Sequence, residues 1–166
     1  MIEKSCSNSR TIKTAHILPP DANQYGTLFG GRLMAHIDDV AAIAAVRHAR
    51  KSVVTASTDS VDFLHPVKVG DAISVEGFVS SAHTTSMEVF VKVVQEGLLT
   101  GEKTVCATAF LTFVALGEDG RPAIIPKVYP ESEIERMLCE GAENRKKRRN
   151  ERKKESQRMA ELFTTD

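Results

Sequence analysis

Residues 21–39, DANQYGTLFGGRLMAHIDD, hold the densest run of groups able to do chemistry. Gly30-Gly31 stands directly ahead of a helical pattern. Free N–H groups at a helix start attract negative charge, and the missing Cβ lets a ligand approach the backbone. A thioester carbonyl becoming an oxyanion is one such ligand; a tight turn into the helix is the plainer alternative. Asp38 and Asp39 follow. At about 100° per residue, seven residues return to nearly the same face, so Gly31 and Asp38 align, with Ala35, Ala42 and Ala45 beside them. Asp38 therefore sits on a strip of small side chains where another chain or a ligand can come close, unless it is simply an exposed helix carboxylate. Asp39 falls about a quarter-turn away, on the face of Arg32, and reads as a partner for surface charge.

The other reactive side chains carry less. Five histidines (His16, His36, His48, His65, His83) lack ligand spacing, and core or surface roles suit each. No serine stands in a nucleophile-elbow context. Cys6, Cys106 and Cys139 are odd in number and widely spaced, with neither a disulfide framework nor a zinc pattern. That usage fits a reducing compartment, and no apolar run approaches the roughly 20 residues of a membrane span. The chain reads as cytoplasmic.

These groups need elements to position them. Leu33, Ile37, Val40 and Ala44 recur at helical spacing and predict one amphipathic helix over 31–49. A loose start (1–9), a short strand (10–17) ended by Pro19-Pro20 and a loop over 21–31 precede it. After it, alternation predicts strands over 53–64, 72–81 and 86–95, then a long apolar strand over 103–116 that reads as central. Tight turns between consecutive strands imply antiparallel pairing, and a lone helix must bury its stripe on one face of that sheet. The expected class is α+β. Short helical stretches over 130–139 and 142–163 close the chain.

Net charge is zero, yet residues 145–158 carry nine Lys and Arg against two glutamates, a local +7. The remainder, with thirteen cations and twenty carboxylates, carries −7. This basic segment is either a solvated helix or a tail that meets an anion.

The run Pro20–Met34 with Asp38 beyond it resembles the signature of the hotdog-fold acyl-CoA thioesterases, of the cytosolic acyl-CoA hydrolase type. Val61–Asp71 (VDFLHPVKVGD) and Thr84-Thr85-Ser86 resemble that family too, and Ala22 departs from it, where a hydroxyl residue is frequent. The likeness spans about residues 10–128, leaving 1–9 as a flexible N-terminus and 129–166 as a basic helical extension. The resemblance implies a hotdog fold, an antiparallel sheet wrapped around one long central helix, and hydrolysis of fatty acyl-CoA. It implies a homo-oligomer, a dimer and then a trimer of dimers, in which an Asn of one subunit and an Asp of the other face one thioester. Matched by motif, these are Asn23 and Asp38, with Gly30 and Gly31 at the carbonyl. Asp38 would act as general base or nucleophile. Phe63, His65, Thr84, Thr85 and Ser86 are the expected coenzyme A contacts, and charge adds Arg145 and Arg148. Neither cofactor nor metal is expected.

Two rivals remain. A hotdog hydratase wants a histidine near the Asp21–Asn23 loop, and after Asn23 none follows until His36. A non-catalytic acyl-CoA-sensing or nucleic-acid-binding module would use the basic tail, but no aromatics interleave that run for stacking on bases.

Overall fold

The computed structural model describes residues 2–164. In chain order the elements are β1 (Glu3–Ser5), α1 (Cys6–Ser9), β2 (Thr11–His16), a 3-10 turn (Pro19–Asp21) and α2 (Gly30–Ala49). Then come β3 (Ser52–Phe63), β4 (Ala72–Ala82), β5 (Ser86–Glu96), β6 (Lys103–Leu116), β7 (Lys127–Tyr129), α3 (Glu133–Glu140) and α4 (Ala142–Leu162). The main sheet runs β2-β4-β5-β6-β3, antiparallel throughout. It is the expected α+β architecture, with strand limits within a residue of those the alternation gave.

Burial follows the alternation. Met87, Val89, Val91 and Val93 of β5 are fully buried on the face toward α2, as are Ala107, Ala109 and Leu111 of β6. Into that face α2 sets Leu33, Ile37, Val40 and Ala44. Gly77 makes the close approach possible, since a Cβ there would stand 3.2 Å from a Val40 methyl. β6 is an inner strand but not the middle one, which is β5. Its continuous apolar run reflects cover on both faces.

Two expectations fail. The start is not loose: β1 pairs in parallel with β7, Glu3 to Lys127 and Ser5 to Tyr129, and Cys6 and Ser9 are buried. Strands of three residues show no period, so the alternation could not reveal them. Nor is the basic segment simply a free tail. Glu88, on the other face of β5, is only 1% exposed. Arg145 binds both its carboxylate oxygens, at 2.8 and 2.9 Å, and lies 4.3 Å over the Phe110 ring. Asp59 receives Arg149 at 3.7 Å and Arg152 at 2.6 Å. The first half of α4 is thus fastened across the back of the sheet, while residues 150–164 are exposed.

Arg145→Ala should cost about 3–5 kcal/mol of stability, because it leaves the Glu88 charge buried and unpaired. Pairing it with Glu88→Gln should recover most of that loss in chemical denaturation; no recovery would assign the cost to packing on Phe110.

His48 is buried, with Nε2 2.8 Å from the Pro126 carbonyl oxygen and Nδ1 unpartnered. Burial holds its pKa below the ordinary 6.5; the Pro126 contact opposes the shift and Lys4 adds to it. The unfolded chain then binds the proton more readily, so this contribution is present above about pH 6.5 and is lost as pH falls toward the folded value. The melting temperature should drop on acidification below that pH, and drop less in His48→Gln, whose amide can still donate to Pro126. Identical slopes in scanning calorimetry would remove His48 as the source. His36 and His83 are also lowered chiefly by burial and shift stability in the same direction.

Candidate active site

The loop before α2 is built by its own side chains. Asn23 Oδ1 accepts from the Tyr25 N–H at 2.9 Å, the Thr27 hydroxyl at 3.1 Å and the Thr27 N–H at 3.3 Å. Gly26, at φ +74°, closes the turn in the left-handed region that favours glycine. The Asn23 oxygen is therefore spent inside the loop, and its NH2 is left without a partner among the described residues. Backbone bonds from Leu28 to Val67 and from Val69 to Gly26 tie the loop to the segment after β3, and one from Phe29 to Asp21 closes the loop on itself.

That loop delivers the start of α2. The residue before the helix is Phe29, which supplies no side-chain cap, so the first N–H groups stay available. The Phe29 ring lies over Gly31: a Cβ there would come within 2.7 Å of it. Gly30 faces Phe63. A cavity of about 300 Å³ opens here, lined by Leu28, Gly30, Leu33, Phe63, Leu64 and His65. Gly30, Phe63 and His65 come together in its lining.

Asp38 and Asp39 diverge as the helical wheel requires. Asp38 Oδ1 accepts the Thr55 hydroxyl of β3 at 3.0 Å. Asp39 pairs with Lys13 of β2 at 2.9 Å, and Arg32 goes to Asp21 at 3.7 Å. Thr55 had no signal in the sequence, because a strand hydroxyl acquires a partner only through register. That register is irregular here, with shifts between Thr55 and Ser57 and between Thr58 and Ser60. Bulges at sheet edges re-aim side chains in this way.

The expected site residues form two groups in one chain. Thr55 pairs with Phe113, and Ser86 with the adjacent Val114, whereas Phe63 pairs with Ala107. Six residues of β6 thus separate the Asp38–Thr55 end from the Phe63 end, about 20 Å at strand rise. Thr85 and Ser86 lie at the Asp38 end. There they line a cavity of about 500 Å³ with Lys146, Arg149, Asn150 and Lys153 of α4. Thr84 is exposed, its carbonyl holding the Ile125 N–H. Arg145 and Arg148 do not join this group. Arg145 is committed to Glu88, and Arg148 lies with Asn144, Lys147 and Glu151 on a different face of α4. Among the described residues, no group of three or more His, Cys, Asp or Glu is arranged to hold a metal ion.

Comparison with known proteins matches residues 25–102 to the thioesterase superfamily. An uncharacterized acyl-CoA thioester hydrolase of Bacillus subtilis is 50% identical over 161 residues, covering 97% of this chain and 94% of the relative. The structure is similar to an acyl-CoA hydrolase from Staphylococcus aureus solved with butyryl coenzyme A, coenzyme A and coenzyme A disulfide. The TM-score is 0.94 at 44% identity, over 98% of this chain and 99% of that one. It is also similar to an apo-hexameric acyl-CoA thioesterase, with TM-score 0.90 at 49% identity over 92% and 97% of the two chains. Variants of the Staphylococcus enzyme in which one asparagine, one aspartate or one threonine is replaced by alanine have been solved as well. The intervals between those three positions equal those separating Asn23, Asp38 and Thr55.

Proposed function

We infer the reaction from one premise and one distance: this chain belongs to the thioesterase superfamily, as an acyl-CoA thioester hydrolase of hotdog fold, and its reactive groups lie too far apart to act within one chain. It hydrolyses acyl-CoA to a free acid and coenzyme A. The carrying observation is the placement of Asp38. Gly31 and Asp38 share a helix face but stand seven residues apart, about 10 Å along the axis. One carbonyl cannot meet both from the same chain. Two copies with antiparallel α2 helices set the Gly31 of one opposite the Asp38 of the other, which supports a homo-oligomer with composite sites. Hexameric assembly among similar thioesterases points the same way and supports a trimer of such dimers here.

In that site the thioester carbonyl oxygen lies at the Gly30 and Gly31 N–H groups, with the Asn23 NH2 oriented toward it. Asp38 takes a proton from water as the water oxygen attacks the carbonyl carbon, or its carboxylate attacks directly and forms an anhydride that water then opens. In either route the C=O electrons move onto oxygen, where the helix start receives them, and return as the C–S bond breaks. The proton ends on the coenzyme A thiolate. Thr55, through its hydroxyl, holds the Asp38 carboxylate in position. Phe63 and His65 line the channel for the pantetheine arm, and Thr84, Thr85 and Ser86 meet the coenzyme farther along. No metal or cofactor takes part in either route.

Asp38→Ala should lower kcat by at least about 10²-fold, and Asn23→Ala should also cripple it. Asp39→Ala, losing only an exposed ion pair, should do far less. Thr55→Val should fall between, at about tenfold, the loss of one positioning hydrogen bond. Thiol release from acyl-CoA measures all four. Full activity in Asp38→Ala would end this mechanism. Mixing inactive Asn23→Ala and Asp38→Ala chains tests the composite site. Random re-pairing makes half the dimers mixed, each with one intact site, so activity should return to about a quarter of wild type. No return after verified subunit exchange would place both residues in one site of one chain.

A further inference from the structure

The cysteines show no disulfide framework in the sequence, yet the fold sets two of them side by side. Cys6 stands on α1 and Cys139 on α3, at opposite ends of the chain, and their thiols are within hydrogen-bonding reach of each other. Separate contacts fix both against neighbouring residues of β4. Cys139 Sγ donates to the Ser80 carbonyl oxygen at 3.1 Å. The Ser9 hydroxyl donates to the Cys6 carbonyl oxygen at 2.9 Å and accepts the Val79 N–H at 2.8 Å. A second link runs alongside. Arg10, directly after α1, reaches Glu135 at 2.7 Å, and Glu135 shares a face of α3 with Cys139 at four-residue spacing. The thiols differ in access: Cys6 is fully buried and Cys139 only partly so, while Cys106 is enclosed in the α2 core. Burial pushes the Cys6 thiol up to about 12, with Cys139 and Glu135 adding to the shift and Arg10 opposing it. Cys139 is raised by burial as well; Cys6 and Arg145 oppose that shift, and Glu135 and Glu88 add to it. Both sulfurs are thus held as neutral thiols at pH 7.

We propose that Cys6 and Cys139 form a reversible oxidation site for hydroperoxides, closing into a disulfide that staples the N-terminal segment to α3. A bridge needs two cysteines that already face each other, and this pair does. Cys139, the accessible one, reacts first through its small thiolate fraction. Its sulfur bonds one peroxide oxygen as the O–O bond breaks, giving a sulfenic acid; the other oxygen leaves as hydroxide and takes up the thiol's proton. The Cys6 sulfur then attacks the Cys139 sulfur. The S–O bond breaks, and the departing hydroxide takes the Cys6 proton to become a second water. Two thiols are oxidised to one disulfide, and one hydrogen peroxide is reduced to two waters. The product carries no charge, so a site that disfavours a thiolate accepts it. It closes most of the chain into one loop, which restricts the unfolded state. Leu138, beside Cys139, gives its carbonyl oxygen to Arg145, so the staple also braces the start of α4. None of this depends on the thioester chemistry.

The test treats the reduced, folded full chain with hydrogen peroxide and then blocks the remaining thiols under denaturing conditions. Peptide mass mapping should find Cys6 joined to Cys139, and Cys106 blocked. The rate should rise roughly tenfold per pH unit between about pH 7 and 9, as the thiolate fraction does. The oxidised protein should melt about 5–10 °C higher. A dithiol reductant should restore the three free thiols and the original melting temperature. In Cys6→Ser, Cys139 should stop at the sulfenic acid, trapped by dimedone, with no gain in melting temperature. The wild-type mapping stands whether or not that variant folds. No Cys6–Cys139 link in the folded protein, a link between chains instead, or a link that forms only above the denaturation midpoint overturns the proposal. So does an equal rise in melting temperature in peroxide-treated Cys6→Ser, or an oxidation that the reductant does not reverse.

Discussion

The single apolar stripe of α2 sets the rest of the molecule. Leu33, Ile37, Val40 and Ala44 have one place to go, the inner face of the sheet, and each large side chain buried there contributes about 1.5–3 kcal/mol. The hydrogen bond from Thr55 to Asp38 contributes about 0.5–1.5 kcal/mol at most. Packing, and not polar contact, therefore decides how α2 is rotated. Given that rotation, Asp38 must emerge toward β3 and Asp39 toward β2, and the helix start must meet the segment after β3. A polar site is positioned here by groups that take no part in its chemistry.

The opposite face of the sheet is solved by different means. Phe78, Phe90 and Phe110 form a row with centroid spacings of 5.8 and 5.2 Å, and Arg10 and Arg145 lie over its two ends. The first half of α4 has little apolar surface to offer this row, so it is fastened through Arg145 to Glu88 and through Arg149 and Arg152 to Asp59. A buried pair such as Glu88–Arg145, closed by the Ser80 hydroxyl at 2.7 Å, adds little stability over an apolar contact of the same size, but breaking it is costly. Its effect is directional: it fixes which face of a nearly featureless charged helix turns inward. Arg10 does the same at the other end, joining Glu76 and Glu135 and so binding β2 to β4 and α3.

What the sequence made legible follows from these two faces. Alternation marked β3 to β6, because valines facing α2 alternate with polar or aromatic residues facing the back. The wheel separated Asp38 from Asp39 for the same reason. The capping signature Ser132–Glu135 was present in the chain, and it starts α3 three residues later than the helical pattern suggested. The pairing of β1 with β7 was not legible, being short and remote in sequence. Thr55 and the fate of the α4 cations were hidden more deeply. Nothing in RKKRRNERKK distinguishes Arg145, which is tied to a buried glutamate, from Lys146, which is free of carboxylates. Only the register of a helix against a folded sheet makes that division.

The open edge of β3 connects these points to the site. This strand pairs with β6 on one side only and runs twelve residues without a lysine or proline to discourage another strand. Val54, Phe63 and Leu64 along and just beyond it are about half exposed, as are Met34, Ile43 and Val46 on the adjoining flank of α2. Such an edge invites a further strand, and the register shifts beside Thr55 and Thr58 restrict which strand fits. A second copy, laid antiparallel, carries matching irregularities. In the composite site proposed above, the Phe63 end of one chain would meet the Thr55 end of the other across such an edge. Under that proposal, covering the edge and completing the site would be the same event.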